Sequence, residues 1–122
     1  MNMKRCNHAC FVDEVTSSIY VVGRVDDQWK SLRSTEKWTF EENSWKSSAN
    51  LPKPISYSSA VSSNTDEYIG YIASGYNPNR VLPDIYGLKK RQMEWIKLNE
   101  TLKKGRRGHS LLNIPANQIS GC

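Results

Sequence analysis

Apolar residues come in short runs or alternate with polar ones, and no stretch holds an i, i+3, i+4, i+7 stripe over three helical turns. The pattern instead predicts strands. Ser18–Gly23 reads as a buried strand ended by glycine. Thr35–Glu41 alternates, with Glu36, Trp38 and Phe40 on one face and Thr35, Lys37 and Thr39 on the other. Glu67–Ser74 is a further strand closed by Gly75, and Ile85–Lys89 and Met93–Leu98 follow. Asp26-Asp27, Glu42-Asn43, Pro52, Asn64, Asn77-Pro78 and Pro83-Asp84 punctuate these segments as turns. Many short strands at regular spacing predict an all-β sandwich, barrel or propeller.

Self-similarity separates those three. Shifted by 50 residues, Ser34–Trp45 falls on Asp84–Trp95, so that Trp38 meets Leu88 and Trp45 meets Trp95. Ile19–Gly23 answers to Tyr71–Gly75 at an offset of 52, and Arg5–His8 answers to Arg106–His109 two periods on. Leu51 follows Trp45 much as Leu102 follows Trp95. A period near 50 with four short strands per unit is the size of a propeller blade. The spacing divides the chain into one blade over residues 4–55, a second over 56–105 and the start of a third over 106–122. As matching positions of a repeat, Trp45 and Trp95 are both expected to be largely buried.

The arrangement resembles the kelch repeat. Arg5 and His8, the strand Ile19–Gly23, Trp38, Trp45 and Leu51-Pro52 fall where that family has its Arg and His, its glycine-ended strand, its aromatic third strand, its Trp and its Leu-Pro. The second unit keeps Gly75, Leu88, Trp95 and Leu102, but has Tyr57, Ser58 and Ser59 in place of Arg and His. The family's glycine pair is reduced to Gly23-Arg24 and Ser74-Gly75. The resemblance implies an all-β fold: a partial kelch-type β-propeller of four-stranded antiparallel blades. Propellers close with typically 4–8 blades. The sequence is therefore expected to be a fragment of a larger propeller, or a chain that assembles to complete one.

Composition sharpens this picture a little. Hydrophobic residues make up 38% of the 122, which suits thin layers of strands better than one thick core. The four Trp and six Tyr argue for an ordered chain. The longest apolar run, Ile19–Val22, is far short of a membrane span, and no signal peptide is read at the basic N-terminus. Localisation stays open. Three cysteines give no disulfide framework. The net charge of +5 is concentrated in Lys89-Lys90-Arg91 and Lys103–Arg107, clusters that read first as solvated turns, so nucleic acid is not the expected partner.

Candidate chemistry is sparse. If Cys6, His8 and Cys10 lie on one strand they share a face, but steps of about 6.5–7 Å spread them too widely for one ion, so no metal is expected. His8 and His109 read as repeat positions hydrogen-bonded to backbone. No nucleophile elbow or P-loop is present, and neither catalysis nor a cofactor is expected. Asn99-Glu100-Thr101 is a glycosylation sequon, relevant only to a secreted protein.

Two exposed loops between second and third strands remain as binding candidates. Arg24–Arg33 holds Asp26, Asp27 and Trp29, and Tyr76–Pro83 holds Asn77, Asn79 and Arg80. In kelch-like propellers such loops project on one rim and bind protein partners. The expected function is a protein–protein interaction module. The alternatives are a piece of a propeller enzyme and a secreted, glycosylated recognition protein.

Overall fold

The computed structural model describes residues 1–63 and 65–113. The far part of the expected third unit, 114–122, lies outside them. Eight strands form in chain order: β1 (Ala9–Asp13), β2 (Ser18–Val25), β3 (Ser31–Thr39), β4 (Ser44–Ser48), β5 (Ser59–Ser62), β6 (Tyr68–Asn77), β7 (Arg80–Lys89) and β8 (Glu94–Thr101). They make two four-stranded antiparallel sheets, ordered β1-β2-β3-β4 and β5-β6-β7-β8. Each strand pairs with its sequence neighbours, so turns alone connect the strands of a sheet. Neither sheet closes into a barrel, and no helix occurs among the described residues.

The two sheets are copies in register as well as in order. Trp38 pairs with Trp45 across β3 and β4, and Leu88 pairs with Trp95 across β7 and β8. Val21 faces Glu36 where Ile72 faces Tyr86, and Val22 faces Thr35 where Ala73 faces Ile85. Turn hydrogen bonds repeat too: Leu51 N–H donates to the Arg33 carbonyl as Leu102 N–H does to that of Pro83, both at 2.9 Å.

Strand alternation decides how the sheets meet. One face of the first sheet presents Ala9, Phe11, Tyr20 and Val22, all buried. It packs on the face of the second sheet that carries Ile72, Tyr86, Leu88 and Trp95, also buried. The Phe11 ring stacks on Tyr20 at 5.1 Å and meets Trp95 edge-on at 6.2 Å. Gly70 makes room for it, since a Cβ there would lie 2.6 Å from the ring. Each such apolar side chain is worth roughly 1.5–3 kcal/mol on burial. Strand β1 lies against β5 and β6, and the Ser62 hydroxyl donates to the Val12 carbonyl at 2.6 Å.

The interface joins opposite faces of equivalent sheets, so one face of each kind is left over. On the first sheet the outer residues include Val12, Ile19, Trp38 and Trp45, and on the second Val61, Tyr71 and Ile85, all half-buried or exposed. Val21, Glu36 and Ala73 on the same faces are buried, the first two beneath the segment that carries Arg5. A further hydrogen bond repeats across units. Tyr57 N–H donates to the Asn7 carbonyl, and Gly108 N–H donates to the Tyr57 carbonyl, both at 2.9 Å. Asn7, Tyr57 and Gly108 share left-handed φ values of 54°, 54° and 61°. Residues around Gly108 thus stand to the second sheet as those around Tyr57 stand to the first.

Three expectations about local structure are corrected. The glycine equivalence is shifted by one: Gly23 (φ 63°) matches Ser74 (φ 60°), and Arg24, paired with Leu32, matches Gly75, paired with Leu82. Gly23 has no space for a side chain because a Cβ would run into the Ile55 carbonyl. At Ser74 the hydroxyl uses that space, donating to the Leu82 carbonyl and accepting from the Arg106 amide. Second, β1 starts only at Ala9, because Asn7 adopts a left-handed conformation; Cys6, His8 and Cys10 therefore share no strand face. Third, only Trp95 is largely buried, at 3% exposed; Trp45 is half-buried, because no second sheet covers its face of the first sheet and the N-terminal segment, through Asn2 and Arg5, covers only the part around Glu36.

Candidate functional site

The loops between second and third strands are tight turns, shorter than the sequence suggests. Strand pairing runs to Val25 and Ser31 in the first sheet and to Asn77 and Arg80 in the second. The first turn is three residues long, Asp27-Gln28-Trp29, and the second only two, Pro78-Asn79. Arg80 is therefore the counterpart of Lys30, and the first turn holds one residue more than the repeat requires. Both turns lie on the same rim, since the Ser31 hydroxyl meets Ser56 Oγ at 2.8 Å and the Tyr76 carbonyl at 3.3 Å.

The first turn is built by Asp26. Its carbonyl accepts from Trp29 N–H at 3.0 Å, its N–H donates to the Lys30 carbonyl at 3.0 Å, and its carboxylate accepts from the amides of Gln28 and Lys30. This is a three-residue hairpin loop whose last residue must be left-handed, a place where glycine costs nothing. Trp29 occupies it at φ 61°, with 74% of its surface exposed. A bulky residue in that conformation costs on the order of 1 kcal/mol. Little burial offsets the cost, so the fold gains little from an indole here.

The other candidates divide by what their side chains already do. Asp26 is occupied by its own turn, and the Asn77 amide is tied to the Pro54 carbonyl at 3.1 Å. Asp27, Asn79 and Arg80 are exposed. Tyr76, which sequence reasoning missed, anchors the second turn: its hydroxyl donates to the Pro78 carbonyl at 3.2 Å, and the Arg107 guanidinium lies 5.5 Å over its ring. A tyrosine just before Asn-Pro carries no signal that would have singled it out. The repeat positions Gly23, Leu88 and Trp95 are core, Gly75 is pressed against Ile55 and Ser56, and Trp38 and Trp45 line the outer face.

Arg5 proves to be a structural residue. Its Nε donates to Glu36 Oε2 at 2.8 Å, with the two side chains 0% and 2% exposed, and its Nη1 reaches the Gly23 and Ser34 carbonyls at 3.2 Å. Such a pair fixes where the chain enters the sheet more than it adds stability. The histidines do not hydrogen-bond to backbone as expected. His8 Nδ1 and both ring nitrogens of His109 are buried without a partner among the described residues. Burial, and then the charge of Arg5, lower the His8 pKa from its usual value.

Cys6 and Cys10 are exposed, and no group of three His, Cys, Asp or Glu among the described residues converges on a point that could hold a metal. The clefts are shallow. One, beside the β1–β2 turn on the opposite rim, is lined by Asp13, Glu14, Ser62 and Tyr68. No protein-family profile and no curated protein matches the chain.

Proposed function

We propose that the chain is a segment of a kelch-type propeller and serves as a protein-binding module without chemistry of its own. The propeller reading rests on two equivalent sheets joined by opposite faces, and on the hydrogen bond that repeats from Asn7 to Tyr57 to Gly108. A heterologous contact of this kind, repeated, builds a ring or an open stack. The binding reading rests on Trp29. Its exposed indole sits at a backbone position suited to glycine, and tryptophan is among the residues that dominate protein interfaces. A rigid sheet with a projecting turn is the ordinary way to present such a side chain.

Site-specific photo-crosslinking in extract of the source cells tests this. A photoreactive phenylalanine analogue at position 29 is expected to trap one or a few discrete proteins. The same analogue at Phe40, exposed on the opposite rim, is expected not to trap them. Identical adducts from both positions, or none from 29, would overturn the proposal.

A further inference from the structure

The two rims differ sharply in charge. On the rim of Trp29 the connecting segment after β8 carries Lys103, Lys104, Arg106 and Arg107, all exposed. That segment is fixed against the second turn. Gly75 N–H donates to the Arg106 carbonyl at 2.8 Å, Gly105 abuts the carbonyls of Val81 and Leu82, and Arg107 lies over Tyr76. Arg80 projects from the same hairpin, and Lys53 from the segment before β5. None of these cations meets a carboxylate within salt-bridge distance among the described residues. On the opposite rim Glu14, Glu41, Glu42, Asp66 and Glu67 outnumber the cations: Lys46 and Lys89 are engaged by Glu42 and Glu67 at 2.6 and 3.7 Å, and Lys90 and Arg91 stand among these acids.

We infer that the rim of Trp29 takes an acidic polypeptide, whose carboxylates meet Arg80, Arg106 and Arg107 and whose apolar side chain covers Trp29. This rests on the protein-binding reading above and adds the partner's chemistry. Guanidinium groups suit carboxylates because the planar fork pairs with both oxygens, and here none has a carboxylate partner among the described residues. An excess of unpaired cations on one rim steers an oppositely charged partner to that rim. A nucleic acid fits less well. Asp26 and Asp27 share the turn with Trp29, so a continuous polyanion crossing the rim would meet like charge there. A peptide need carry its acids on one side only.

The test uses a fluorescently labelled peptide of eight Glu followed by one Leu, measured by anisotropy at low salt, beside oligo(dT) of matched charge. The chain is expected to bind the peptide more tightly than oligo(dT), and tenfold more weakly on adding 0.15 M salt. Arg106→Glu with Arg107→Glu should weaken peptide binding at least tenfold. Lys90→Glu with Arg91→Glu makes the same change of net charge on the opposite rim and should leave it within twofold. Lys103→Glu with Lys104→Glu serves if the Arg106 pair lowers the melting temperature. Equal losses from both rims would overturn the inference, because net charge alone would explain binding. Tighter binding of oligo(dT), lost in the same rim variants, would overturn the partner class and keep the rim as a binding surface. No peptide binding at low salt, with position 29 still trapping protein, would overturn the acidic partner alone.

Discussion

At the scale of single residues, Trp29 and His8 depart most from what the fold alone requires. Trp29 costs backbone strain and buries little. Trp29→Gly relieves the left-handed strain and loses no core contact, so the melting temperature should stay level or rise by up to about 4 °C, the size of a 1 kcal/mol change in a domain this small. Scanning calorimetry checks it, and a fall of several degrees would make the indole structural. His8 is half-buried beside Arg5 with a lowered pKa. The unfolded chain therefore binds the proton more readily than the folded one. Stability should be intact above the unfolded pKa of 6.5 and decline as pH falls below it, until the folded pKa is passed. His8→Gln should flatten that decline in urea titrations between pH 7 and 5; an unchanged slope would place the effect elsewhere.

At the scale of elements, the repeat was legible in the sequence and the strand ends were not. The 50-residue match of Trp38 and Trp45 with Leu88 and Trp95 is the cross-strand pairing itself, seen in one dimension. Strands β2, β3, β6, β7 and β8 run further than their apolar cores suggest, because polar ends such as Arg24, Asn77 and Arg80 still pair. The glycine match was off by one because the left-handed position equivalent to Gly23 holds Ser74, with Gly75 following it, and β6 also carries an extra residue at an irregularity between Tyr68 and Gly70 that β2 lacks. The shorter β6–β7 turn cancels that extra residue, so flanking positions stay 50 apart. Of the rim, Trp29 could be picked out from its residue type. The backbone role of Asp26 and the stacking of Tyr76 with Arg107 arise from geometry no pattern encodes. The matched tryptophans now predict unequal losses. Trp95 is buried between the sheets and its indole N–H donates to the Ala49 carbonyl at 3.0 Å, so Trp95→Ala should cost about 3–5 kcal/mol. Trp45→Ala, on the outer face, should cost less than half as much in chemical denaturation. Equal losses would mean that something covers Trp45 in solution.

At the scale of the whole molecule, the sheets share one interface and leave two faces of the same kinds unused. Between them Phe11, Tyr20, Val22, Ile72, Tyr86, Leu88 and Trp95 are buried, whereas Trp38, Trp45, Val61 and Tyr71 are only partly covered. Apolar faces of that extent favour association, and the interface within the chain shows which faces suit each other. Sedimentation velocity over a hundredfold range of concentration reads this association. The species is expected to grow beyond 13.9 kDa with concentration, and either Trp38→Lys or Tyr71→Lys should return it to a folded monomer. A wild-type chain that sediments as a 13.9 kDa monomer throughout and melts in one sharp transition would contradict it.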